Sequence, residues 1–153
     1  MAFSALESWR SDTMEQKQRE LLIEEAIKAR ENAYTPYSDF MVGAALLTEG
    51  GKIYRGCNIE NGAYSPSNCA ERTAFFKAIS DGERQFQAIA IVGAKKDALK
   101  EDWEFCSPCG VCRQVMAEFC DPNKFEIVLY RGSGEVKSYL LKELLPLGFH
   151  FEK

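Results

Sequence analysis

The pattern of apolar and polar positions predicts short strands alternating with helices. Apolar-rich runs occupy residues 42–48, 52–57, 86–92 and 125–130. The segment Glu49-Gly50-Gly51 joins the first two as a hairpin turn, in which we expect both glycines to have a positive φ. The runs FQAIAIV and FEIVLY are almost continuously apolar, which is typical of strands covered on both faces. Helical periodicity marks residues 13–32, the segment that follows Cys69, and residues 111–119.

The ends of these elements carry further signals. Thr13 and Gln16 have the spacing of a capping box, and Tyr34-Thr35-Pro36 closes the first helical pattern. A last short helix is predicted over residues 139–145, before Pro146. Alternating strands and helices predict an α/β fold, in which a mixed sheet carries helices on both faces. We expect a single domain over residues 1–153, with residues 1–12 as a loose N-terminal arm.

Composition and charge exclude several classes of protein. Hydrophobic residues make up 46% of the chain and charged residues 27%, a balance typical of globular domains and not of disordered chains. The net charge of −4 does not favour binding to a nucleic acid polymer or an anionic membrane. The sequence shows neither a signal-peptide pattern nor an apolar run long enough to span a bilayer. We therefore expect a soluble, cytoplasmic protein with neither membrane nor nucleic acid as a partner.

Three of the six cysteines stand at the predicted starts of helices. Cys69 opens one helix in the motif CAE, and Cys109 and Cys112 open the next in PCGVC. A helix N-terminus lowers the pKa of a thiol and favours the thiolate that metals bind. Three thiolates with water as the fourth ligand form the arrangement of a catalytic zinc. Glu71, two residues after Cys69, then stands where a general base would contact that water.

Cys106 leaves other metal sites open. Together with Cys109 and Cys112 it forms C-x2-C-x2-C, a run that would begin an iron–sulfur site or supply a closing fourth ligand to a structural zinc. The next cysteine of an iron–sulfur motif is missing, because position 116 is Met and Cys120 lies too far along the helix.

The motifs resemble the cytidine deaminase family, in its small homotetrameric form with three cysteine zinc ligands. The resemblance runs from YSDF at residues 37–40 through VGAALL, GCNIEN, CAERTA and SPCGVCRQ to ELLPLGF. It implies a three-layer α-β-α fold with a mixed, roughly five-stranded sheet, and one Zn²⁺ in each subunit. The chain departs from the usual pattern of the family at residues 65–68, just before Cys69.

The resemblance also implies roles for individual residues. Cys69, Cys109 and Cys112 would bind zinc, Glu71 would shuttle protons, and Arg72 would donate hydrogen bonds to the ligand sulfurs. The remaining positions would contact the nucleoside: Phe40 at the pyrimidine, Asn58 and Glu60 at the ribose hydroxyls, the Ala70 N–H at the ring oxygen, the Ser107 carbonyl at the leaving amine, and Tyr64 and Phe149 across a subunit interface.

The implied function is hydrolysis of cytidine and 2′-deoxycytidine to uridine or deoxyuridine and ammonia, in pyrimidine salvage. In this reaction zinc lowers the pKa of its water, while Glu71 moves a proton to the pyrimidine N3 and then to the leaving amine. One alternative is a deaminase of a cytosine-bearing nucleoside antibiotic, although Asn58 and Glu60 favour a substrate that carries ribose. A second alternative is a non-catalytic zinc module with Cys106 as the fourth ligand.

Overall fold

The computed structural model describes residues 14–153, and within them one mixed sheet lies between layers of helices. The elements in chain order are α1 (Gln16–Arg30), β1 (Phe40–Thr48), β2 (Ile53–Cys57), α2 (Ala70–Ser80), β3 (Phe86–Lys95), a 3₁₀ turn (Lys100–Asp102), α3 (Gly110–Phe119), β4 (Glu126–Tyr130), β5 (Val136–Leu140) and α4 (Leu141–Leu144). This architecture confirms the predicted three-layer α/β fold. The predicted arm at residues 1–12 lies outside the described residues.

The order of the strands in the sheet is β2-β1-β3-β4-β5. β1 is antiparallel to both β2 and β3, so β2 and β3 run in the same direction, and β4 is parallel to β3. Parallel strands of one sheet need a crossover connection, which α2 supplies between β2 and β3, on either side of β1, and α3 supplies between the neighbours β3 and β4. Both helices therefore begin at the same edge of the sheet, where β2 and β3 end.

Alternation along the strands divides the buried side chains between two faces. On β1, Ala44 and Leu46 belong to the core formed with α2 and α3, whereas Ala45 and Leu47 belong to the core formed with α1. The side chains of β3 and β4 divide between the same two cores, so both faces of these strands are covered, as their continuous apolar runs predicted. Within residues 14–153, no helix has the length and apolarity needed to cross a bilayer.

The structure corrects the prediction at the C-terminal end of the sheet. Tyr139 and Leu140 belong to strand β5 and not to a helix, and α4 is confined to Leu141–Leu144. β5 is an edge strand with exposed Lys137 and Ser138, so it lacks the continuous apolar run by which the inner strands were found.

Two signals at the element ends also need correction. The predicted Thr13–Gln16 capping box is wrong, because Glu15 is the N-cap of α1 and donates its backbone N–H to Gln18 Oε1 at 3.3 Å. In the hairpin turn between β1 and β2, only Gly51 has a positive φ, of 91°. The helix α1 ends at Arg30, before the Tyr34-Thr35-Pro36 segment.

Candidate active site

Three cysteine sulfurs meet where α2 and α3 begin. Cys69 is the N-cap of α2, Cys109 is the N-cap of α3, and Cys112 follows one turn later. The Sγ atoms of Cys69 and Cys109 lie 3.8 Å apart, and those of Cys109 and Cys112 lie 3.5 Å apart. All three sulfurs lie within 4.8 Å of one another. The parallel β2 and β3 thus bring together thiols that are forty residues apart in the sequence.

The geometry of these sulfurs fits a zinc ion. With a Zn–S bond of about 2.3 Å, two ligands of a tetrahedral site have sulfurs about 3.8 Å apart. A hydrogen bond from Cys112 lowers the pKa of Cys69 to about 5, and the nearby Arg72 acts in the same direction. The hydrogen bond between the two thiols raises the pKa of Cys112. These shifts favour a thiolate at Cys69, and metal binding would release the protons of the remaining thiols.

Arg72 supports the cysteine sulfurs from the first turn of α2. Its Nη2 donates a hydrogen bond to Cys69 Sγ at 3.4 Å. Burial acts to lower the pKa of Arg72, but its hydrogen bonds to the sulfurs of Cys69 and Cys112 outweigh burial and raise it. The guanidinium charge offsets the negative charge that three thiolates would give a metal site.

Glu71 is buried beside the sulfurs, with only 4% of its surface exposed. It is the second residue of α2, and in the sequence it stands between Cys69 and Arg72. Burial raises the pKa of Glu71 to about 7, while a hydrogen bond with Cys112 acts in the opposite direction. A carboxyl group with such a pKa is suited to take up and release protons near neutral pH.

A cleft with a volume of about 310 Å³ opens beside the sulfurs. This volume is in the range of small-molecule sites. Most of the predicted site residues line it: Asn58, Glu60, Cys69, Ala70, Glu71, Arg72, Ser107 and Cys109. The other lining residues had no predicted contact with the substrate: Val42, Ile59, Ser67, Asn68 and Cys106. Ser67 and Asn68 belong to the segment in which the chain departs from the family pattern.

Asn58 and Glu60 are held by backbone groups next to β1. Asn58 Oδ1 accepts a hydrogen bond from the Val42 N–H at 2.8 Å, and its Nδ2 donates one to the Phe40 carbonyl at 2.8 Å. Glu60 Oε1 accepts hydrogen bonds from the N–H groups of Tyr37 and Ser38. The hydrogen bonds from Ser38 and Tyr37 lower the pKa of Glu60. These hydrogen bonds fix the orientation of the Asn58 amide and the Glu60 carboxylate in the lining of the cleft.

Three predicted substrate contacts do not line the cleft within this chain. Phe40 lies at the start of β1 with 36% of its surface exposed, and Tyr64 is 81% exposed with a φ of 61°. Phe149, 64% exposed, lines a separate cavity beside α3 and α4, and its carbonyl accepts a hydrogen bond from Gln114. The roles of these aromatic residues stay predictions.

Cys106 lies in the wall of the cleft but outside the group of three sulfurs. Among residues 14–153, only Cys69, Cys109 and Cys112 form a cluster of metal-ligating side chains. A side-chain carbon at Gly93 would lie 2.7 Å from Cys106 Sγ, so this sulfur packs against β3. Burial raises the pKa of Cys106 to about 12, which keeps the thiol neutral. The arrangement favours an open three-cysteine site over one closed by Cys106.

Known proteins share this sequence and this fold. Residues 16–128 match the family described as the cytidine and deoxycytidylate deaminase zinc-binding region. A cytidine deaminase of Sporosarcina psychrophila is 53% identical over 133 residues, covering 87% of this chain and 92% of that protein. One from Halalkalibacterium halodurans is 50% identical over 134 residues, covering 88% and 96%.

A solved structure agrees with these relatives. The crystal structure of cytidine deaminase from Burkholderia pseudomallei has a TM-score of 0.77 to this structure and 46% sequence identity, covering 89% of this chain and all of that chain. These similarities confirm the family that the CAE and PCGVC motifs predicted, together with its zinc. The chain therefore belongs to the zinc-binding cytidine and deoxycytidylate deaminase family.

Proposed function

We propose that the protein hydrolyses free cytidine and 2′-deoxycytidine, releasing ammonia and leaving uridine or deoxyuridine. The observation that carries this proposal is the buried Glu71 carboxyl, which lines the cleft beside the sulfurs of Cys69 and Cys112. The two relatives described above, at 53% and 50% identity, are named cytidine deaminases, which favours cytidine over a nucleoside antibiotic as the substrate.

Glu71 has the central part in the proposed mechanism. Held by Cys69, Cys109 and Cys112, zinc would supply a water of lowered pKa as the nucleophile. The Glu71 carboxylate accepts a proton from that nucleophile and delivers it to N3 of the pyrimidine. As the oxygen of the nucleophile bonds to C4, Glu71 takes up the remaining proton of that oxygen and carries it to the amino group. The C4–N bond then breaks, ammonia leaves and a carbonyl remains at C4. Because Glu71 is buried, bulk water does not compete for these protons.

The cleft offers groups that would orient the nucleoside. Ala70 is the first residue of α2, so its N–H has no acceptor within the helix and is free to bind the pyrimidine oxygen. The Ser107 carbonyl would accept a hydrogen bond from the leaving amine, and Asn58 and Glu60 would bind the ribose hydroxyls. Phe40, the first residue of β1, would pack against the pyrimidine.

We propose a homotetramer in which Tyr64 and Phe149 contribute to a neighbouring site. Both aromatic side chains are largely exposed in the single chain, and aromatic residues are enriched at protein interfaces. Sedimentation analysis is expected to give the mass of four chains, and a monomer at working concentration would contradict the assembly. A role in pyrimidine salvage in the cytoplasm suits the six free cysteines, since thiols stay reduced there.

The activity is tested by mixing the zinc-loaded protein with cytidine and following ultraviolet absorbance as cytosine becomes uracil. A strong chelator is expected to stop the reaction, and added Zn²⁺ to restore it. An unchanged absorbance with folded, zinc-loaded protein would contradict the proposal. Faster turnover of a cytosine-bearing antibiotic than of cytidine would favour the alternative substrate.

A further inference from the structure

The turn between β4 and β5 packs against the segment that leads into the cleft wall. The N–H of Gly132, in this turn, donates a hydrogen bond to the Trp103 carbonyl at 2.9 Å. A side-chain carbon at Gly132 would overlap the carbonyl oxygen of Lys100 and lie 3.1 Å from the Trp103 nitrogen. The two backbones meet without an intervening side chain, a close approach that glycine allows.

Two cationic side chains from the β4–β5 region lie over the ring of Phe105. The guanidinium carbon of Arg131 lies 4.6 Å from the ring centroid, and Lys137 Nζ lies 4.7 Å from it. Arg131 also pairs with Glu104 at 2.9 Å and with Glu135 at 3.0 Å. Its Nε is buried and has no hydrogen-bond acceptor within residues 14–153, so contact with the ring takes the place of a hydrogen bond there.

Phe105 is directly followed by residues that build the site. Cys106 and Ser107 line the cleft, and Cys109 belongs to the group of three sulfurs. The other end of this short segment is held by Arg113, whose Nε donates a hydrogen bond to the Pro108 carbonyl at 2.8 Å. The segment is therefore anchored on both sides, by Arg131 through Phe105 and by Arg113 through Pro108.

We propose that Arg131 is a positioning residue, which acts through Phe105 to hold Ser107 in the cleft wall and Cys109 among the metal-binding sulfurs. Arg131 does not line the cleft, so it acts on the cleft through its contacts with the segment that precedes Cys106. When the contact is lost, the segment from Phe105 to Cys109 gains freedom. The cleft then binds the substrate less well, and one of the three sulfurs is held less firmly. The kinetic part of this inference rests on the proposed function.

The test compares Arg131→Gln with the parent protein. We expect KM for cytidine to rise about threefold to tenfold, with a smaller change in kcat, because a cation–π contact at a partly exposed site contributes on this scale. Transfer of zinc to a chromophoric chelator should become faster by a similar factor. Arg131→Lys restores a second cation near the ring, beside Lys137, and should recover most of both losses.

Two further variants separate the ring contact from general stability. Glu135→Gln removes an ion pair of Arg131 but leaves the ring contact, so KM and the rate of zinc release should stay at parent values. Phe105→Leu keeps an apolar side chain and should reproduce Arg131→Gln. The loss in the double variant should be smaller than the sum of the two single losses, because both substitutions remove the contact between Arg131 and Phe105.

Three outcomes would overturn the proposal. The first is an Arg131→Gln protein with parent values of both KM and zinc release. The second is a Glu135→Gln protein that changes both as much as Arg131→Gln does. The third is an additive double variant. If the parent protein does not turn over cytidine, the proposed function fails, while zinc release still decides the role of Arg131.

Discussion

Gly56 of β2 lies directly against Ala70, the first residue of α2. A side-chain carbon at Gly56 would overlap the Ala70 carbonyl oxygen and lie 2.5 Å from the backbone nitrogen of Ala74. This close approach seats the first turn of α2 on the sheet, and that turn carries Glu71. The absence of a side chain on a strand thus helps to set the position of an acidic group in the cleft.

Gly56→Ala should therefore displace α2. We expect the free energy of unfolding to fall by about 1–3 kcal/mol, the usual cost of overpacking, and turnover of cytidine to fall with it. Gly50→Ala is the matched control, because its added carbon would meet only Thr48 Oγ1 at 3.8 Å. Urea unfolding and initial rates measure the two effects. A Gly56→Ala protein as stable and active as the parent would show that α2 does not depend on this contact.

Glu71→Gln should keep zinc and lose turnover. The amide has nearly the shape of the carboxylate but cannot accept the proton, so we expect kcat to fall by a factor of about 100 to 10,000. Metal analysis of the purified variant and the absorbance assay give the two quantities. Undiminished kcat at full zinc occupancy would exclude Glu71 as the proton carrier.

Cys106→Ser and Cys109→Ser should behave in opposite ways. Cys106 lies outside the three-sulfur group, so Cys106→Ser should retain zinc and most of the activity. Cys109→Ser removes one of the three clustered sulfurs and should lose both. Zinc content after dialysis against a mild chelator distinguishes the pair. Loss of zinc from Cys106→Ser would support the structural zinc module closed by a fourth cysteine.

The hydrogen bond between Tyr54 and Asp81 predicts a pH-dependent contribution to stability. The Tyr54 hydroxyl donates to Asp81 Oδ2 at 2.8 Å, which, with Lys52 nearby, lowers the pKa of Asp81 below its ordinary value of 3.8. A carboxylate whose pKa is lowered by folding stabilises the protein above its unfolded pKa, and this contribution is lost as the pH falls through the folded pKa.

Tyr54→Phe should therefore lower the free energy of unfolding at neutral pH. Its difference from the parent should shrink below about pH 4, as Asp81 becomes protonated. Urea unfolding at a series of pH values measures this difference, and Asp81→Asn should abolish its pH dependence. A difference that stays constant down to about pH 2 would show that Asp81 is not the group responsible.

Much of the metal centre was predictable from the sequence because its signals are local. Cys69 and Cys109 precede helical patterns, and the structure makes each of them an N-cap. Cys112 follows Cys109 at the spacing of one helical turn, which places both sulfurs on the same side of α3. The inner strands were also found correctly, because side chains buried on both faces leave a continuous apolar run.

Other features depended on contacts between distant segments. The spacing C-x2-C-x2-C is the same on either side of Cys109, so it does not distinguish Cys106 from Cys112 as a ligand. Packing against Gly93 of β3 draws the Cys106 sulfur away from the group. The edge strand β5 was missed for a related reason, since its pairing with β4 comes from backbone hydrogen bonds that leave little trace in its side chains.

The sequence by itself determined the α/β class and the two cysteine motifs and the acidic residue that stand at helix starts, because helix starts and apolar periodicity are properties of neighbouring residues. Only the tertiary structure decided which groups share the cleft. Ser107 and Glu60 meet there because β1 and β3 pair and because the segments around them are anchored by distant residues, such as Arg131. Contacts of this kind arise when the chain packs, and no local pattern encodes them.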